Sequence, residues 1–278
     1  MKIAFIGGGN MAAALIAGLA GKLTPGGNIH VVDPNPASLE KLRQEYGVTV
    51  AGVAGEAVGA AEVLVLAVKP QVMHEVTQQL LPLLQAARAA GRSPLVLSIA
   101  AGIRAQDLSR WLGGYQAIVR TMPNTPALIG KGVTGMVASS GVSTAQREAA
   151  DQILRAVGET VWLDDESKID AVTAVSGSGP AYVFYFIEAM QQAAQELGLT
   201  AEQGKQLAMA TFTGAAQLAV ESADPVPVLR EKVTSKGGTT YAALTSMEAS
   251  GVKAAIIAAV KAAAARGKEL GEQLGAAG

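Results

Sequence analysis

Gly7-Gly8-Gly9-Asn10-Met11-Ala12 and, more than 220 residues later, Ser235-Lys236-Gly237-Gly238-Thr239-Thr240 are the stretches whose residue types could do chemistry. The first follows the apolar run Lys2-Ile3-Ala4-Phe5-Ile6 and precedes a small-residue helical pattern, so it reads as a strand, a tight turn and a helix start. Glycine at the first position permits the unusual backbone angles of such a turn, and Gly9, the second glycine of the pattern, lets backbone amides approach a pyrophosphate at the helix N-terminus. Ala12 occupies the third position of the G-x-G-x-x-A pattern, where a small residue lets the helix pack on its strand. A second strand, Asn28 to Val32, ends in Asp33, which lies 21 residues after Ala12. That is the spacing at which an acid meets an adenosine ribose, and together these features point to a bound dinucleotide.

The second stretch places two glycines and two hydroxyl residues ahead of an apolar helical pattern. Free amides at a helix N-terminus with hydroxyls beside them suit a single carboxylate. A well-capped helix with Thr239 as N-cap explains the same residues equally well.

Two further polar motifs interrupt the apolar background, Arg120-Thr121-Met122-Pro123-Asn124-Thr125-Pro126 and Ser176-Gly177-Ser178-Gly179-Pro180-Ala181-Tyr182. In the latter, Ser178 or Gly179 is expected to cap a helix with Pro180 in its first turn, with a role in lining the site alongside. Lys69 and Arg120 are the charged residues that close central strands: Lys69 reads as a solvated stem or a contact to a ribose or phosphate. Arg120 reads as a substrate ligand or a partner to a helix end. His74 reads as a surface residue.

The elements that position these residues follow a strand and helix rhythm. Glu62 to Val68, Leu95 to Ile99 and Ala117 to Arg120 are nearly all apolar, as parallel strands covered on both faces are. Pro36 to Tyr46 has helical spacing and stops at Gly47. Val133 to Ala138 and Thr160 to Leu163 read as two more strands around a helix from Thr144 to Val157. From about Asp165 the strand signals end, and alanine-rich helical patterns cover Ser178 to Leu197, Ala201 to Glu221 and Val252 to Leu270. The expected fold is therefore an α/β Rossmann-type doubly wound sheet over residues 1–164, followed by an all-α domain over residues 165–278.

Composition narrows the function. The 278 residues carry a net charge of −1 with no clustered Lys/Arg, which argues against a nucleic-acid surface. There are no cysteines and only two histidines, so thiolate chemistry is excluded and no metal site is expected. No run of 18 apolar residues marks a membrane span, and the glycines interrupt any signal-like core at the N-terminus, so a cytoplasmic protein is expected. With 50% hydrophobic and only 16% charged residues, against the usual charged share of about 25%, apolar surface is expected to be buried between subunits.

Taken together, AVKP at Ala67 to Pro70, RTMPNTP at Arg120 to Pro126, SGSGPAY at Ser176 to Tyr182 and VTSKGGTT at Val233 to Thr240 resemble pyrroline-5-carboxylate reductase over essentially the whole chain. The resemblance implies reduction of 1-pyrroline-5-carboxylate to L-proline, the last step of proline biosynthesis, by hydride from NADPH or NADH. It also implies an all-helical second domain that interlocks as a homodimer, often built into a decamer. Gly8, Asn10 and Met11 then resemble the pyrophosphate residues, with Gly7 and Gly9 completing the turn. Val68, Lys69 and Ala101 resemble those at the nicotinamide ribose, and Ser235, Gly238, Thr239 and Thr240 the carboxylate loop. Thr240 is the expected catalytic residue, bonded to the ring nitrogen.

Two departures from the family pattern stand out. Lys236 replaces a usual proline, and Ala54 falls where the family has an asparagine near the adenosine ribose. With Asp33 present and no arginine from Asp33 to Ser38, NADH is expected to serve at least as well as NADPH. The alternatives are a related imine or β-hydroxyacid dehydrogenase, or a nonenzymatic dinucleotide- or proline-sensing relative. The hydroxyacid branch would carry a catalytic lysine in its helical domain, and Lys168, Lys205 and Lys232 lie in no recognisable context for one.

Overall fold

A computed structural model describes residues 1–276. The first stretch of chain runs β1 (Ile3–Ile6), α1 (Asn10–Leu19), β2 (Ile29–Val32), α2 (Pro36–Tyr46), β3 (Thr49–Ala51), α3 (Glu56–Gly59), β4 (Val63–Leu66), α4 (Met73–Ala89), β5 (Leu95–Ser98), α5 (Ala105–Trp111) and β6 (Ile118–Met122). It continues through β7 (Gly132–Ala138), α6 (Thr144–Arg155), β8 (Gly158–Trp162) and α7 (Ile169–Val172) to a π-helical turn at Thr173–Gly177. The remainder is α8 (Gly179–Glu196), α9 (Ala201–Glu221), α10 (Val226–Lys232), α11 (Thr239–Ala249) and α12 (Val252–Ala276).

The eight strands form one sheet in the order β3-β2-β1-β4-β5-β6-β7-β8. All neighbours are parallel except β6 and β7, whose pairing is antiparallel, with Thr121 opposite Met136. The chain reverses there through a 3-10 turn at Thr125–Ile129 that ends at Gly130, left-handed at φ 70°. The order turns back between β1 and β4, and a doubly wound sheet opens its ligand crevice at that point, beyond the carboxyl ends of the strands.

Both faces of the sheet are covered, which is why its central strands are continuous apolar runs. On one face Ile3, Phe5, Val63, Val65, Leu95 and Leu97 pack with Leu15, Ile16 and Leu19 of α1. On the other, Ala4, Ile6, Leu64 and Leu66 pack with Leu80 and Leu84 of α4 and Leu108 of α5. Asn35 caps α2 by accepting from the amides of Ala37 and Ser38, and Gly47 ends it at φ 66°, as the sequence spacing implies.

By its contacts the described chain divides into two units, one holding Met1–Ser178 together with the chain from Ala263 onward, the other Gly179–Ala262. The second unit is helical, with α8 and α9 packed on each other. Thr200 and Gln203 form a reciprocal capping box at the start of α9. His74, expected at the surface, is half-buried instead, with its ring 5.2 Å from that of Trp111 in an edge-on contact. The reason is that α4 and α5 pack side by side on the same sheet face.

Candidate functional site

Gly7 leaves β1 at φ +103°, and a Cβ there would lie 2.6 Å from the Ala67 carbonyl oxygen, so both the backbone and the neighbouring strand end demand glycine. Its amide donates to the Val32 carbonyl at 2.8 Å. The turn is thus stitched to the ends of β2 and β4 at once.

Gly8 is held from the β2 side. Its amide donates to Asp33 Oδ2 at 2.7 Å, and Ser38 Oγ donates to its carbonyl at 2.9 Å. Asp33 Oδ1 accepts the Asn35 amide at 2.8 Å. The carboxylate expected at a ribose therefore also fastens the turn, and each oxygen keeps accepting capacity because an ionised carboxylate offers about four lone-pair sites. Sequence spacing located Asp33, whereas the Ser38 contact depends on how α2 packs beside α1 and carried no sequence signal.

Gly9 behaves differently. It has ordinary extended angles, φ −71° and ψ −179°, and a Cβ built on it meets nothing within 4 Å. It is the N-cap of α1 and offers no side-chain cap, so by helix geometry the first-turn amides of Asn10, Met11 and Ala12 face the space beside it. Neither backbone nor packing requires glycine here. The residues present fit a pyrophosphate, which would fill that space and accept those amides.

Along the same strand ends, Val68 is half-buried after β4, Lys69 is exposed, and Ala101 is exposed after β5. Because β2, β1, β4 and β5 are consecutive in the sheet, Asp33, Gly7 to Met11, Val68, Lys69 and Ala101 line up along one carboxyl edge. A dinucleotide crossing the turn would reach from Asp33 towards Ala101.

Arg120 is 4% exposed and pairs with Glu166 at 2.8 Å, and Glu166 also accepts the Ala105 amide at 2.7 Å at the start of α5. Of its two expected roles, it takes the one near a helix end, through Glu166. Asn124 is 8% exposed and spans two segments: its Oδ1 accepts the Val133 amide at 2.9 Å, and its Nδ2 donates to the Ser176 carbonyl at 3.1 Å. RTMPNTP therefore braces SGSGP.

The capping role expected of Ser178 or Gly179 does not hold. Ser178 has right-handed helical angles, φ −85° and ψ −19°, and its amide donates to the Thr173 carbonyl at 2.8 Å in a π-type bond. Within this turn a Cβ on Gly177 would lie 2.6 Å from Met122 Cε, so the glycine leaves room for the end of that side chain. Single π turns of this kind are frequent at functional sites.

The second unit holds the other motif. Gly237 takes φ +76°, and the Gly238 amide donates to the Ser235 carbonyl at 3.0 Å, closing a tight loop before α11. The N-cap is Gly238 rather than the expected Thr239, and no side chain caps the helix. Thr239 and Thr240 thus stand inside the first turn, whose amides no side chain caps, an arrangement that suits an anion. Ser235, Lys236 and Thr239 are exposed, and Thr240 is half-buried.

Residues 166–270 match the family model for pyrroline-5-carboxylate reductase dimerisation, and residues 2–102 match that for coenzyme F420-dependent NADP oxidoreductase. A pyrroline-5-carboxylate reductase of Pseudomonas aeruginosa is 48% identical over 99% of this chain and 98% of its own length. The solved structure of a pyrroline-5-carboxylate reductase from Coxiella burnetii superposes with a TM-score of 0.90 at 38% identity, over 97% of this chain and 98% of that one. A pyrroline carboxylate reductase from Plasmodium falciparum, solved with NADP bound, gives a TM-score of 0.84 at 29% identity, over 98% of each chain.

Proposed function

The chain belongs to the pyrroline-5-carboxylate reductase family, and we propose that it reduces 1-pyrroline-5-carboxylate to L-proline with NAD(P)H. The observation that carries this reading is the pairing of two uncapped helix N-termini with different surroundings. One stands at the sheet's crevice behind a glycine turn, and the other sits in a helical unit behind Gly237-Gly238 with hydroxyls beside it. The first suits a pyrophosphate and the second a single carboxylate.

A reduced nicotinamide held there would supply a hydride to the imine carbon. As the new C–H bond forms, the C=N π pair moves to nitrogen, which holds its proton and becomes the secondary amine of proline. The protein's task is to orient: Gly7 to Met11 and Asp33 hold the dinucleotide, Val68, Lys69 and Ala101 its nicotinamide end, and Ser235, Gly238 and Thr239 the substrate carboxylate. Thr240 holds the ring nitrogen through its hydroxyl. Bringing the imine carbon within about 3–3.5 Å of the donor carbon supplies most of the acceleration, because a protonated imine is already electrophilic.

Several finer assignments support one another. Asp33 places negative charge where a 2′-phosphate would sit, and no arginine stands from Asp33 to Ser38, so NADH serves at least as well as NADPH. Residues 1–164 hold the cofactor and residues 165–278 bind substrate and pair subunits, as the extent of the dimerisation match supports. Phe184, Tyr185, Leu207 and Leu218 are more than half exposed on the helical unit, an apolar surface suited to a second copy in a dimer or a decamer built from dimers. No single described helix is long and apolar enough to cross a membrane. A cytoplasmic location without membrane or nucleic-acid partners agrees with the near-neutral charge.

Addition of 1-pyrroline-5-carboxylate to enzyme and reduced cofactor is expected to remove the cofactor's near-ultraviolet absorbance and form proline. NADH is expected to match or exceed NADPH in kcat/KM. No oxidation with either cofactor would overturn the reductase reading, and a strong NADPH preference would overturn the role given to Asp33.

A further inference from the structure

We infer that the last turns of α12 hold the loop after β5 in place, and that Leu274 and Gly271 are thereby positioning residues for the nicotinamide end of the cofactor. The inference rests on the reading of Ala101 as a cofactor contact. The dimerisation match ends at residue 270, so these turns lie outside it.

Three kinds of contact fasten this end of the helix to the segment that begins just after Ala101. The first is apolar and specific in shape: Gly102 takes φ +79°, and the Leu274 Cδ1 fills the space that a Cβ on Gly102 would need, 2.9 Å from its ideal position. Leu274 also packs against the apolar cluster that includes Ile103, Leu108 and Trp111.

The second is backbone proximity. Gly271 and Gly275 are buried, and Cβ atoms on them would lie 3.2 Å from the Gly102 carbonyl oxygen and 2.4 Å from Asp107 Oδ2. Spaced by four, they lie on one face of the helix, so its backbone rests directly against the loop and the start of α5. The third is polar. Arg110 donates to the Gly275 carbonyl at 2.6 Å, a cation at the helix's carboxyl end, and Arg104 stands 3.6 Å from Glu272.

Ala101 is itself exposed, while its chain neighbour Gly102 is pinned by Leu274 and Gly271. A left-handed glycine loop without that cover has few contacts of its own to define its path. Removing the cover loosens the point at which the nicotinamide end would rest. The chemistry is sensitive to such looseness, since a misplacement of about 1 Å costs on the order of 100-fold in rate.

The test compares Leu274→Ala, Leu274→Met and Gly271→Ala in the full-length enzyme. Readouts are cofactor affinity by titration without substrate, KM for cofactor and for 1-pyrroline-5-carboxylate, kcat and Tm. Leu274→Ala is expected to weaken cofactor binding several-fold and lower kcat by more than a few-fold, within the roughly 100-fold bound above, while the KM for the imine stays within about twofold. Leu274→Met, which refills the space, restores both, and Gly271→Ala reproduces the Leu274→Ala pattern in milder form.

The inference fails if Leu274→Ala lowers Tm yet leaves cofactor affinity and kcat at wild-type values, or if Leu274→Met does not rescue. Gly9→Ala serves as the reference. If it weakens cofactor binding and Leu274→Ala does not, the positioning inference fails while the cofactor reading stands; if neither weakens it, the cofactor reading itself has failed.

Discussion

Gly9→Ala separates what the glycine turn does for the fold from what it does for a ligand. Its angles of φ −71° and ψ −179° are open to alanine, and the added methyl meets no protein atom within 4 Å. Alanine in a compatible conformation stabilises by about 0.4–1 kcal/mol through the unfolded chain. Losing glycine for alanine at an N-cap costs a comparable amount, roughly 0.5–1 kcal/mol. The two effects nearly cancel, and at about 2–4 °C per kcal/mol the Tm is expected to move by no more than a few degrees.

The methyl, however, stands where the pyrophosphate belongs. Forcing one extra carbon into an occupied, well-packed site costs about 1–3 kcal/mol, which is roughly 5- to 150-fold in affinity. Cofactor titration and the KM for NADH measure this, with a thermal melt as the control. Gly7→Ala is the contrasting variant, because its φ of +103° and the 2.6 Å approach to the Ala67 oxygen strain the protein itself, so Tm falls with or without ligand. Unchanged cofactor affinity in Gly9→Ala, with a normal melt, would refute the placement of the pyrophosphate.

The remaining predictions concern the helical unit and acid stability. Thr240→Ala is expected to keep the fold and the cofactor affinity while lowering turnover with the cyclic imine; unchanged turnover would remove Thr240 from the mechanism. Burial raises the Asp151 carboxyl pKa, but hydrogen bonds from Thr160, Arg155 and Trp162 outweigh it and hold the group below its ordinary value. A depressed carboxylate contributes stability above its unfolded value of about 3.9 and loses it as pH falls through the lower folded value. Asp151→Asn is therefore expected to be less stable than wild type near neutrality, with the difference in Tm shrinking below about pH 4. A Tm difference independent of pH would refute that account.

The first glycine turn, the apolar central strands and the glycine stop of α2 were legible because each depends on residues close in sequence. Gly47 must be left-handed wherever the helix packs, and a strand covered on both faces must be apolar throughout. Shorter or interrupted elements were not legible. Thr49–Ala51 is only three residues long, too short to show a period, and α4 carries Pro82 in its interior, a residue that ordinarily ends a helix, although Met73, Thr77, Leu80, Leu84 and Ala87 keep helical spacing. The π turn was hidden for another reason. Ser176 to Pro180 satisfies a capping pattern, whereas the Ser178 amide bonds back to Thr173 in a π-type step that local pattern does not announce.

By itself, then, the sequence determined which local structures form and which residues have the chemistry to bind a pyrophosphate and a carboxylate. The four motifs AVKP, RTMPNTP, SGSGPAY and VTSKGGTT sufficed for the family, because a combination of that length in that order is specific. Tertiary structure alone decided what those residues do for one another. Asp33 takes the Gly8 amide, Asn124 joins Val133 to Ser176, Glu166 ties Arg120 to the start of α5, and the end of α12 returns to cover Gly102. These contacts join residues 9 to 172 positions apart, all but one of them at least 25 apart. A donor at one end specifies no partner at the other until burial by the sheet and its helices has brought the two within about 3 Å and removed the water that would otherwise compete.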